Sequence, residues 1–175
     1  MKTNLLSVKP FQETLHGGYC GPASLKIVMD YYRVEKDEED IAERCGRDQE
    51  MGTDDMSIKK AAESYGFKVE IQNNTSFEDI QKWLDKKIPV IVNWFTRGRS
   101  DYPDSTVPDG HYSVVVGLDD QSIYLMDPEL GKLRALDRED FYRVWFDFRS
   151  NFIKSWEGMI LRQLIAVYPM ETSHF

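Results

Sequence analysis

The sequence predicts an α+β fold in which N-terminal helices pack on a mostly antiparallel sheet built later in the chain. Three observations predict it. In the first half apolar residues recur at helical spacing between cap and stop residues. From Pro89 onward the chain turns to β-branched and aromatic runs separated by turn formers. Its 175 residues, 41% of them hydrophobic, can build one compact core and are few for two, so residues 1–175 read as a single domain.

The first helix is expected over residues 22 to about 33, where Leu25, Val28, Met29 and Tyr32 mark one buried face and Pro22 suits a first helical position that needs no N–H. A short second helix over 37–45 stops at Gly46. A third, capped by Thr53, ends at Tyr65 before Gly66, and a fourth opens at Ser76 with Asp79 three residues on, turning Ile80, Trp83 and Leu84 inward. Strands follow over 89–95, 111–118, 122–126, 132–136 and 159–168, the last at a sheet edge, with one more helix over 138–146 behind Asp137. The loop over residues 97–110, with two glycines and two prolines, delivers the chain to His111 and reads as a lid or groove wall.

With 22 Lys and Arg against 30 Asp and Glu, the net charge is -8 and the basic residues are scattered. Such a surface lacks the positive stripe that attracts a phosphate backbone, so no nucleic-acid partner is expected. No apolar run approaches the roughly 20 residues of a membrane span, and the N-terminus lacks the apolar stretch of a signal peptide. The expected compartment is the cytoplasm, with no membrane partner. Two cysteines make no disulfide framework, and neither Cys-x-x-Cys nor a His-rich spacing is present to bind a structural metal.

Cys20 lies in Gly17-Gly18-Tyr19-Cys20-Gly21-Pro22, between small residues at a helix start. Unpaired N–H groups and the helix dipole there favour thiolate over thiol, which marks a nucleophile. Cys45 stands at a helix C-terminus, where the dipole disfavours an anion, and reads as packing. A thiolate needs a base that can return the proton, and histidine suits because it titrates near neutral pH. His174 is in the tail and His16 in a Gly-rich segment, which leaves His111 at the mouth of a strand. If Asp119, Asp120 and Gln121 form a three-residue loop, Asp127 falls opposite Ser113, on His111's face and one diagonal step away. There its carboxylate would orient the imidazole. The Cys20 backbone N–H and the Gln12 amide are candidate donors for a developing oxyanion.

Together these residues resemble the bacteriocin-processing, double-glycine-leader peptidases and their stand-alone relatives within the papain-like superfamily. The resemblance rests on Gln12, Tyr19-Cys20-Gly21-Pro22-Ala23-Ser24, Asp30-Tyr31-Tyr32, Gly52-Thr53, Tyr65-Gly66, Gly110-His111-Tyr112 with the strand to Gly117, and Met126-Asp127-Pro128. It spans residues 11–146 and leaves 147–175 as an extension. It implies a papain-like fold, with Cys20 as nucleophile, His111 as base and acid, Asp127 as orienting residue and Gln12 as oxyanion donor. Gln12 is eight residues before Cys20, farther than the family pattern places it, an enlargement that Leu15-His16-Gly17-Gly18 can absorb. No transporter sequence follows, so leader cleavage during export is not expected.

The chemistry these residues permit is peptide or small-amide hydrolysis through a thioester acyl-enzyme, with substrate lying near Tyr19, Trp94 and Tyr112. Transfer of the acyl group to another thiol or amine uses the same intermediate, and a peptide-binding module without catalysis keeps the same groove. None of these needs a cofactor.

Overall fold

A computed structural model describes residues 4–96, 109–149 and 158–170. Helix α1 (Cys20–Tyr31) begins two residues before Pro22, with Tyr19 as N-cap, so Cys20 holds the first helical position. Pro22 is tolerated at the third because the helical ladder starts only at Ala23, whose N–H donates to the Tyr19 carbonyl at 2.8 Å. Helices α2 (Glu38–Arg44) and α3 (Asp55–Ser64) follow. The cap of α3 is Asp54, which accepts the Ser57 N–H, and not Thr53; a carboxylate one residue closer reaches the orphan donor and favours the helix dipole.

Strand β1 (Phe67–Gln72) went unread in the sequence, although Phe67, Val69 and Ile71 alternate with polar residues. Helix α4 (Phe77–Asp85) has the expected capping box between Ser76 and Asp79. Then come β2 (Val90–Thr96), β3 (Asp109–Leu118), β4 (Ser122–Asp127), β5 (Lys132–Asp137), α5 (Arg138–Val144), β6 (Phe146–Phe148), β7 (Met159–Leu161) and β8 (Leu164–Pro169). The lid expected over residues 97–110 lies outside the described residues except for Asp109 and Gly110, which open β3.

Six strands form one antiparallel sheet in the order β1-β8-β2-β3-β4-β5, and β6 pairs with β7 separately. The single strand expected over 159–168 is therefore two. Arg162, at φ 43°, breaks the run, and β8 lies inside the sheet and not at its edge. Its burial explains why: Leu164 and Ala166 pack on one face, Ile165 and Val167 on the other. Helices cover both faces. α1 and α3 pack over Ile91, Tyr112, Val114 and Val167, while α4 and α5 cover Val92, Trp94, Val115 and Leu125 with fully buried Phe141 and Trp145.

The β3–β4 hairpin sets which face each site residue occupies. Asp119 N–H closes the turn on the Ser122 carbonyl, and Leu118 pairs with Ile123 where the sequence reading paired it with Ser122. A β-bulge at Val116 takes that one-residue shift back, so Val115 pairs with Leu125 and Val114 with Met126. Continued one step, this register sets Asp127 against Ser113, as the hairpin argument required. The bulge leaves the Val116 carbonyl outside the regular ladder, and the Leu6 N–H takes it at 2.8 Å.

Candidate active site

Cys20 is buried at the start of a twelve-residue helix that has no side-chain cap and no acidic residue in its first turn. With no acidic residue in the first turn and no side-chain cap, the positive end of the dipole favours an anion at Cys20. The preceding turn is fixed by close packing. Gly18 has φ +67°, and a Cβ there would meet the Asp48 carbonyl and Gly52 Cα at 2.9 Å, so only glycine fits. The free thiol of Cys45 is different, pushed up to about 12 by burial and then by the charge of Asp54.

His111 and Asp127 are fully buried, and His111 Nε2 lies 2.8 Å from Asp127 Oδ1. Oδ1 also accepts the Glu129 N–H at 3.0 Å, and Oδ2 accepts Arg134 Nη1 at 2.9 Å. Burial alone would raise the Asp127 pKa. The hydrogen bond and charge of His111, then those of Arg134, outweigh it and hold the carboxyl at about 2. Arg134 escaped the sequence reading. Its signal was positional, since β5 pairs Lys132 with Asp127 and places Arg134 two residues on, on the same face.

Trp94 pairs with His111 across β2 and β3 and turns its ring edge-on to the imidazole, with centroids 5.8 Å apart. It donates Nε1–H to Ser113 Oγ at 3.1 Å and carries the Arg134 guanidinium 5.3 Å above its ring. It supports the dyad and is itself buried. Tyr19 is also buried, its hydroxyl donating to Glu39 at 2.5 Å under the Arg47 guanidinium. Of the three residues read as substrate contacts, Tyr112 lines a cavity; burial, then the charges of Asp147, Asp55 and Cys20, hold its hydroxyl well above the ordinary tyrosine range.

Gln12 lies against the turn after Asp127. Its Nε2 donates to the Glu129 carbonyl at 3.0 Å, and the Glu13 N–H donates to the Pro128 carbonyl at 2.8 Å. Gly131, at φ +61°, allows this approach, since a Cβ there would meet Gln12 Cβ at 2.6 Å.

A sequence profile of the Peptidase_C39 like family matches residues 5–153. The chain belongs to that family. Among relatives of this C39-like chain, a lactococcin transport/processing ATP-binding protein, LcnC-like, of Lactococcus lactis is 29% identical over 127 residues, 72% of this chain and 16% of that protein's own length. An uncharacterized protein of Methanothermobacter thermautotrophicus is 31% identical over 129 residues, 72% of this chain and 75% of its own. The peptidase domain of Streptococcus ComA, a bi-functional ABC transporter involved in a quorum sensing pathway, superposes with TM-score 0.67 at 21% identity, covering 93% of this chain and 99% of that one. A double glycine motif protease from an AMS/PCAT transporter, solved with its leader peptide, gives TM-score 0.67 at 20% identity over 95% of each chain. The fold is papain-like α+β.

Two surface depressions, of about 450 and 390 Å³, lie around α2 between Lys36, Asp40, Glu43 and Asp30, away from the dyad. A smaller cavity of about 190 Å³ borders Tyr112. Among the described residues no cluster of His, Cys, Asp and Glu is arranged to hold a metal, and no helix is long and apolar enough to cross a membrane.

Proposed function

We propose that this C39-like chain is a cysteine peptidase or amide hydrolase in which Cys20 is the nucleophile, His111 its base and acid, and Asp127 the residue that orients His111. The observation that carries the reading is the buried Nε2–Oδ1 pair at 2.8 Å, together with a cysteine at the first position of a helix that has no side-chain cap. With Nε2 committed to Asp127, proton exchange with the thiol falls to Nδ1. The Cys20 thiolate attacks the carbonyl carbon, Nδ1–H protonates the departing amine, and a thioester remains. Nδ1 then takes a proton from water, whose oxygen attacks the thioester and frees the thiol.

The oxyanion is stabilised by the Cys20 N–H and by Gln12, which keeps a second Nε2 proton after bonding Glu129. Tyr112 contacts substrate, whereas Trp94 and Tyr19 brace the imidazole and the Gly17-Gly18 turn. The names of the relatives support a peptide substrate, and those transporters' export functions belong to chains of which this one matches a small part. Cys20 and Cys45, neither of them in a disulfide, fit a reducing compartment, which favours the cytoplasm, and one domain accounts for all the described strands and helices.

The test is the rate of Cys20 alkylation by iodoacetamide across pH, read by peptide mass spectrometry, with Cys45 as internal control. Cys20 is expected to react well below pH 8, and His111→Ala to remove that low-pH reactivity. Ordinary thiol behaviour at Cys20 in both proteins would reduce the chain to a peptide-binding module.

A further inference from the structure

The cavity beside Tyr112 has features that the dyad does not use. Tyr112 forms its wall, and its hydroxyl group is influenced both by Cys20 and by the cavity carboxylates Asp147, Asp55 and Asp54. Thr53, on the same wall, packs on Gly21, the residue after Cys20. The cavity therefore borders the residue after Cys20 and includes the residue after His111. At about 190 Å³ it is smaller than the roughly 300–1,000 Å³ of a pocket for a drug-sized ligand and has room for one side chain.

Three carboxylates, Asp54, Asp55 and Asp147, dominate its polar lining. Asn93 is 3% exposed and donates its amide to Asp147, which leaves its Oδ1 buried without a hydrogen-bond partner among the described residues. Thr53 Oγ1 is likewise buried and without one. An orphaned amide oxygen costs free energy unless a donor arrives. Asp147 accepts the Phe148 N–H through Oδ1 at 2.7 Å, and Asp54 accepts the Ser57 N–H at 2.7 Å. Arg149, the one cation in the lining among the described residues, stands 4.0 Å from Asp55 and offsets one of the three carboxylates. Met51 and Met56, both exposed, form an apolar rim. Carboxylates and a buried carbonyl oxygen behind a flexible apolar entrance complement a long side chain with an apolar stem and a cationic, donor-rich head.

We propose that this cavity is the specificity pocket of the peptidase and takes an arginine or lysine side chain of the substrate, one or two residues before the bond that Cys20 attacks. The proposal rests on Cys20 being the nucleophile. Asp147 and Asn93 Oδ1 receive the head group, and Met51 and Met56 cover its methylenes. Burial, with Asp109 nearby, pushes the Asp147 carboxyl up to about 6 against the hydrogen bonds of Phe148 and Asn93, so the empty pocket holds a strained charge that a cation relieves.

The test uses peptidyl acyloxymethyl ketones that alkylate Cys20, carrying arginine, citrulline or norleucine at either of the two residues before the reactive carbon, with intact-mass readout on the full chain. Citrulline keeps the shape and removes the charge. At one of the two positions the arginine reagent should react at least about tenfold faster than the citrulline one, the value of a charge-assisted hydrogen bond. Asp147→Asn should bring that ratio toward one, and Arg149→Gln should raise it. Equal arginine and citrulline rates at both positions in the unmodified chain overturn the pocket. If iodoacetamide still finds a His111-dependent thiolate, the peptidase reading survives that result; if Cys20 is inert to every reagent, both fall together.

Discussion

Asp127 keeps its charge in full burial because three donors converge on it: His111 Nε2, the Glu129 N–H and Arg134 Nη1. A carboxyl held at about 2 in the folded chain, against about 3.9 unfolded, stabilises the fold above the higher value and ceases to do so as pH falls through the lower. The stability lost on Asp127→Asn, by urea unfolding, is therefore expected to be level above pH 4, of the order of 2 kcal/mol, and to shrink toward pH 2. Arg134→Met should raise the Asp127 pKa and move that decline to higher pH; an unchanged profile would show that His111 and the Glu129 N–H hold the carboxylate without it. The dyad was legible because the bulge at Val116 cancels the shifted turn and restores the strand parity that the sequence suggested. Arg134 was not, because its contact depends on the β4–β5 register. Asn93 and Asp147 were invisible for a related reason: the cavity forms only when β2, β3 and β6 meet.

At the scale of elements, α4 shows how local chemistry secures a helix that must cover the sheet. Ser76 and Asp79 cap each other's N–H groups, and Ile80, Trp83 and Leu84 then fill the face over β2 and β3. Ser76→Ala should cost about 1 kcal/mol in thermal or urea unfolding without altering Cys20 alkylation. A loss of alkylation would mean that α4 positions the site directly. Helices and caps were read from local signals, and most ends match. The failures were tertiary. An isolated run such as residues 159–168 says little about which strands flank it, and the interior place of β8 depends on β1 and β2 arriving on either side. The hairpin succeeded by a different route from the one expected, through a shifted turn and a bulge that cancel.

Across the whole molecule the N-terminal segment works as a strap. Leu6 bonds the bulge at Val116 and packs against both apolar clusters, Val8 is buried, and Gln12 and Glu13 bond the turn that follows Asp127. Removing residues 1–9 takes away two apolar contacts and a backbone hydrogen bond, so a loss of about 3 kcal/mol is expected in urea unfolding, together with slower Cys20 alkylation. An unchanged midpoint and rate would show that the bulge holds its register unaided. The strap also has a consequence for the order in which the protein is made. Synthesis runs from the N-terminus, so Cys20 emerges long before His111, Asp127 and Arg134, and Leu6 and Glu13 must wait for Val116 and Pro128. On the ribosome the Cys20 thiol has neither His111 nor the fixed loop around it until most of the chain has left, so any activity that needs the assembled pair waits for release.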